Sequence, residues 1–186
     1  MRAGLAAAVI LAAALAGPAQ GQTLQDRKDD EVFRDISHTV LGYPQFTIFD
    51  DVSAAITDGV VTLQGKVTMP FKKQDIERRV AKVAGVTRVE NRIGVLPVSR
   101  FDDELRYSVA RAIYGSSLFW HYASMANPPI HIIVENGRVR LTGVVASEVE
   151  RMLARSLATS FNAFSVTSDL KTDAEMRALL DAKGVS

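Results

Sequence analysis

Asp58-Gly59-Val60-Val61-Thr62-Leu63-Gln64-Gly65-Lys66-Val67 and Asn136-Gly137-Arg138-Val139-Arg140-Leu141-Thr142-Gly143-Val144-Val145 are one pattern written twice, 78 residues apart. Each opens on Asp/Asn-Gly, which supplies two residues tolerant of positive φ and is a strong hairpin signal. Alternation follows. Val61 and Leu63, like Val139 and Leu141, point to one side of a strand, while Thr62 and Gln64, like Arg140 and Thr142, point to the other. Gly65 and Gly143 mark a bulge or a close approach of the strand to a helix.

The flanks repeat as well. Before the first hairpin, Val32, Ile36 and Val40 recur at helical spacing; before the second, Leu105, Val109, Ala112 and Ile113 do so. The acidic runs Asp29-Asp30-Glu31 and Asp102-Asp103-Glu104 fit the starts of these helices, where carboxylates cap amides and complement the dipole. A second helix follows each hairpin, with Ile76, Val80 and Val83 on its apolar face in the first copy and Val149, Met152, Leu153 and Leu157 in the second. A last strand carries Val86, Val89, Ile93 and Val95, or Phe164, Val166 and Leu170. The fold class is therefore α+β, two tandem αββαβ units, each a three-stranded sheet with two helices on one face. Residues 29–97 form the first unit, 101–172 the second and 173–186 a helical tail. The tail opens on a Thr172/Glu175 capping box and has Met176, Leu179 and Leu180 to pack back on a domain. The sheet faces left open by the helices would meet each other or a second molecule.

Bulk properties narrow the function. The 186 residues are 47% hydrophobic, with a net charge of +1 and no cysteine. The balance lacks the basic footprint of a nucleic-acid binder. Without cysteine there is no thiol nucleophile, disulfide framework or cysteine-ligated metal. His38, His121 and His131 show no spacing that would bring the three or four ligands of a metal site together. No Gly-x-Ser-x-Gly elbow or phosphate-cradling glycine loop is present. These observations argue against an enzyme and imply no cofactor.

At the N-terminus, Arg2 precedes an apolar run from Leu5 to Ala16, then Gly17-Pro18-Ala19-Gln20-Gly21. A basic residue, a short apolar stretch and small residues with helix breakers make a cleavable export signal over residues 1–21. The run is well short of the ~20 residues that span a bilayer. The expected location is the periplasm, free or peripheral to a membrane.

Twice over, a hydrophobic helix leads to Asp/Asn-Gly-x-Val-x-Leu-x-Gly and then to an arginine-bearing helix; in the first copy this ends in Gly85-Val86-Thr87-Arg88-Val89-Glu90-Asn91. This arrangement resembles the BON domain (bacterial OsmY and nodulation). The second copy departs at Asn162-Ala163-Phe164-Ser165-Val166-Thr167-Ser168, which lacks the Gly-Val. The stretch from Arg111-Ala112-Ile113-Tyr114-Gly115 to Pro128-Pro129-Ile130-His131-Ile132-Ile133-Val134 also looks like one subgroup with tandem BON domains. The resemblance implies a non-enzymatic envelope protein that supports envelope integrity or osmotic stress tolerance. Its partners would be anionic phospholipid surfaces or, in a chaperone-like or scaffold role, other envelope proteins.

Two surfaces are candidates for that contact. Tyr114 to Met125 concentrates aromatic and apolar side chains around a Gly-Ser-Ser break and holds the only tryptophan. Tyr114, Leu118, Phe119, Trp120 and Tyr122 suit a bilayer interface, and Arg106 and Arg111 on the preceding helix suit phosphate. The same residues also fit a helical turn packed into the core. The second candidate is the basic face of Lys72, Lys73, Arg78, Arg79 and Lys82, which also reads as an ordinary solvated helix face.

Overall fold

The structure is a computed structural model that describes residues 24–182. The export segment expected at 1–21 lies outside the described residues. The first repeat is α1 (Leu24–Leu41), β1 (Asp51–Thr57), β2 (Val60–Val67), α2 (Pro70–Val80), β3 (Arg88–Asn91) and β4 (Gly94–Val95). The second is α3 (Arg100–Tyr114), a 3-10 turn at Ser117–Phe119, α4 (Trp120–Ala123), β5 (Ile130–Glu135), β6 (Arg138–Val145), α5 (Glu148–Thr159) and β7 (Ser165–Thr172). Helix α6 (Asp173–Ala182) follows.

Both sheets are built alike. β1 runs antiparallel to β2 and β5 to β6, with Asp58, Gly59, Asn136 and Gly137 all at positive φ in the connecting turns. The third strand lies parallel to the hairpin's second strand and is reached through a crossover helix. In the first repeat that strand is interrupted: β3 pairs with Val60–Leu63 and β4 resumes against Lys66 and Val67. Two α+β units with two helices on one face of each sheet are thus present.

The cores follow the alternation. Val61, Leu63 and Val67 pack with Ile36, Val40, Ile76 and Val80; Val139, Leu141 and Val145 pack with Val109, Ile113, Ala154 and Ala158. Several sequence expectations fail in detail. On α5 the buried residues are Glu150, Ala154 and Ala158, while Val149 and Met152 are more than half exposed. The small alanines let α5 sit close to the sheet, which rotates the larger side chains outward. Val95, Phe164, Leu179 and Leu180 are likewise exposed. The close approach at Gly65 and Gly143 is to the neighbouring strand, not to a helix: a Cβ there would lie 2.1 Å from the Asp51 carbonyl and 1.8 Å from that of Pro129.

Of the acidic runs, Asp102 and Asp103 stand in the first turn of α3 as expected, whereas the first run does not start its helix. α1 begins at Leu24, so Asp29-Asp30-Glu31 lies inside it rather than at its start. Asp29 accepts the Asp58 amide of the first hairpin turn, and Asp102 accepts the Asn136 and Gly137 amides of the second, at 2.8 and 2.7 Å. Each repeat therefore ties its hairpin turn to its first helix by an aspartate. The α3 cap itself is Ser99, which accepts the Asp102 amide.

The sheet faces left open by the helices meet each other's repeat. The segment before β1 runs beside β5, whose Ile132 amide donates to the Ile48 carbonyl at 2.7 Å. Lys66 pairs with Glu135 at 2.9 Å and Arg140 with Asp51 at 3.0 Å across the seam. Ile133, Thr142 and Val144, on the side of the second sheet away from its helices, are buried.

Candidate functional surface

Helix α3 ends at Tyr114, and the chain then makes one 3-10 turn and one short helix before entering β5. The aromatic residues of this connection divide between the two sides of the turn. Phe119 is fully buried in the second core, and Tyr122 is 7% exposed beside it. Burying a side chain of Phe119's size contributes roughly 1.5–3 kcal/mol, which anchors the segment. Tyr122 donates to Glu150 at 2.8 Å and accepts the Ala146 amide at 2.9 Å. Tyr114 is half-buried and donates to the Ile130 carbonyl. Burial pushes the phenols of Tyr114 and Tyr122 well above the ordinary tyrosine value.

With these anchors inward, Trp120 is 66% exposed, Met125 46% and Leu118 39%. Arg111, one turn back from the end of α3, is exposed, and its guanidinium has no hydrogen-bond or ion-pair partner among the described residues. Tyr107 is exposed one helical turn before Arg111. Met125 closes the segment singled out from the sequence, whereas Tyr107 lies outside it, although the four-residue step from Arg111 back to Tyr107 carries the helical period. Exposed apolar and aromatic side chains, with the exposed Arg111 on the preceding helix, are thus carried on a packed base.

Four residues proposed as contacts from sequence lie elsewhere. Phe119, Tyr122 and Tyr114 face inward as described. Arg106 is buried: it pairs with Asp103, donates to the Val134 carbonyl at 3.1 Å and lies 5.8 Å from the Phe49 ring centroid. It joins the repeats and is not presented to solvent.

The second candidate surface also loses a member. Lys72 is 5% exposed and donates to Asp50 at 2.7 Å and Thr68 at 2.8 Å. Asp50 is fully buried and further accepts the amides and hydroxyls of Thr47 and Thr68. Arg78 pairs with Asp75, and Arg79 lies 4.7 Å over the Tyr43 ring. Lys73 is half-buried and Lys82 exposed. Thr39, Asp75, Arg78, Arg79 and Lys82 line a shallow groove of about 490 Å³ between α1 and α2. His38, Arg78 and Arg79 stand in the last turns of these helices, where cations complement the dipole.

Among the described residues, no three His, Asp or Glu side chains converge as a metal site, and no helix is long and apolar enough to cross a membrane.

The family model described as BON domain matches residues 34–97 and 110–173. Among solved structures, two of CdsD, a structural protein of the type III secretion system of Chlamydia trachomatis, are similar. One is 15% identical, covering 81% of this chain and 97% of the other at a TM-score of 0.29. The second, its C-terminal domain, is 18% identical, covering 82% and 72% at a TM-score of 0.33. No curated protein matches the chain.

Proposed function

Because the chain belongs to the BON domain family, we propose that it is a non-enzymatic envelope protein that binds anionic phospholipid surfaces through Tyr107, Arg111, Leu118, Trp120 and Met125. The family implies a role at membranes or phospholipid in the bacterial envelope; residues 1–21 support export to the periplasm. The location and a part in osmotic stress tolerance belong to the proposal.

One observation carries the reading. Trp120 is 66% exposed on a turn whose neighbours Phe119 and Tyr122 are buried. Together with Leu118 and Met125 on the same short connection, this ring gathers exposed apolar area in one place, and such accumulations mark contact surfaces. An indole fits the interface of a bilayer, where its ring is apolar and its N–H stays wet. The exposed Arg111, in the last turn of the preceding helix, suits a lipid phosphate, which a guanidinium grips through paired N–H donors. With no spanning helix among the described residues, such binding is peripheral.

The test is sedimentation of the chain from Gln22 onward with vesicles of phosphatidylcholine alone or mixed with phosphatidylglycerol, at low and high salt. Pelleting only with the anionic vesicles, reversed by salt and lost in Trp120→Ala and Arg111→Ala, is the expected result. No pelleting with anionic vesicles at low salt overturns the proposal. The reading would then pass to a chaperone-like or scaffold role with protein partners.

A further inference from the structure

We propose that the seam between the two repeats is a proton-operated latch: a proton taken up by His131 releases the Phe46–Asp51 segment from β5 and lets the first repeat separate from the second.

His131 stands on β5 with its side chain on the sheet face opposite Ile130 and Ile132, and it is 9% exposed. Its Nδ1 lies 2.6 Å from the Asp50 carbonyl oxygen of the first repeat. A carbonyl only accepts, so the neutral ring carries its proton on Nδ1. The Phe46 ring lies 5.5 Å away between centroids, and the Thr47 carbonyl also reaches the imidazole. The imidazole is thus closed in by a segment of the other repeat, and a charge on it would be stripped of water. Burial is the main cause holding its proton affinity below the ordinary histidine value; the Asp51 charge and the carbonyls of Asp50 and Thr47 oppose it more weakly.

The acidic groups around the seam are already committed. The Asp50 carboxylate holds Lys72. Asp51 pairs with Arg140, which also reaches Asp169 at 3.6 Å, and Glu135 pairs with Lys66. Thr142, paired in register with His131, has a buried hydroxyl with no partner and brings no charge. The Asp51 and Asp50 carboxylates, each already paired with a cation, therefore offset the desolvation of an imidazolium only in part.

The other ties across the seam are the packing of Ile48 and Phe49 on the second core, with Phe49 also under the Arg106 guanidinium, and a small set of polar contacts. The Ile48–Ile132 hydrogen bond joins the segment to the strand edge, and Phe49 meets Tyr107 edge-on at 5.3 Å. The two ion pairs are partly exposed, and such pairs add little. A docking energy of this kind is open to change by one proton. In the separated form the ring is wet and titrates at the ordinary value. Acidification from about pH 6.5 downward then favours separation, by up to about tenfold per pH unit until the docked-state value is passed.

The chain has no cysteine, so labels can be placed at will. Lys82→Cys and Arg155→Cys, both exposed, give one spin label in each repeat. The expected result is one sharp distance at pH 8 and a broad, longer distribution at pH 5, with His131→Gln staying sharp at both. An unchanged distribution between pH 8 and pH 5, or a His131→Gln protein that opens in parallel with the parent, overturns the proposal. Should that variant fail to fold, the ring resonances of the parent decide. His131 must titrate below the ordinary histidine value and in step with the distance change. Titration without a distance change is again fatal to the idea. None of these readouts depends on lipid binding.

Discussion

The phenol of Tyr122 donates to Glu150 across 2.8 Å and 28 residues of chain, and the oxygen of that phenol accepts the Ala146 amide. This joins α4 to the start of α5 and fixes the turn on which Trp120 is displayed. The first repeat has a counterpart of opposite charge. Lys72 stands where Glu150 stands, 78 residues earlier, and ties α2 to Asp50 ahead of β1. In both repeats a buried polar contact joins the second helix to the segment that enters the first strand.

Tyr122→Phe removes the donor to Glu150 and leaves that carboxylate buried with only the Ala146 amide. The expected loss is about 1–3 kcal/mol of unfolding free energy, read as a lower midpoint in urea. Trp120 fluorescence anisotropy should fall in the same variant, because the turn that holds the indole is loosened. An unchanged anisotropy would show that Phe119 alone holds the turn.

Lys72→Ala leaves the Asp50 carboxylate fully buried without its cation. Breaking a buried pair from one side costs about 3–5 kcal/mol, a large part of a domain's stability. Lys82→Ala, at an exposed position, should stay within about 0.5 kcal/mol of the parent. Equal effects in the two variants, by thermal or urea unfolding, would contradict the buried position of Lys72.

Gly143→Ala places a Cβ 1.8 Å from the Pro129 carbonyl at a φ of +122°, which L side chains rarely adopt. Strand β6 must then part from β5 at Ile130, its partner in register. The second repeat should lose more than about 3 kcal/mol, with amide exchange protection lost first along β5 and β6. Gly42→Ala, where φ is not positive, is the milder control.

Tyrosine ionisation supplies a pH prediction. Burial, followed by the hydrogen bond to Asp75, pushes Tyr43 up to about 12, and Tyr114 and Tyr122 are also raised. A raised folded value means that the contribution is whole below about pH 10 and is lost as pH climbs, since the unfolded phenols ionise first. Most phenolate absorbance should therefore emerge above about pH 11 in the native protein but near pH 10 in denaturant. Coincident curves would mean that these phenols are open to solvent.

Much of the architecture is local, and local chemistry is legible in a sequence. Asp58-Gly59 and Asn136-Gly137 specify their turns through backbone sterics, and the alternation after them selects which side of each strand is buried. The capping box at Thr172 and Glu175 is equally local: the Thr172 amide donates to Glu175, and the Thr172 hydroxyl accepts the Glu175 amide. The second repeat's departure from the pattern is visible in both sequence and structure. Asn91 fastens β3 to α2 through the Lys73 carbonyl and Glu77, whereas Ser168, at the matching place beside Leu141, has a buried hydroxyl with no partner.

What the sequence by itself determined is the duplication, the order of elements and the inward side of each strand, because these depend on periods of a few residues. What only the tertiary structure decided is the fate of residues whose partners are far along the chain. Lys72 and Arg106 look like surface cations until Asp50, Thr68, Val134 and Phe49 are brought to them. Phe119 and Trp120 are adjacent in sequence and lie on opposite sides of the turn, one fully buried and one largely exposed. His131 becomes a seam residue only because the open face of its sheet receives the other repeat. Burial of a polar or aromatic group is settled by the packing of whole elements, and short-range periodicity carries no information about it.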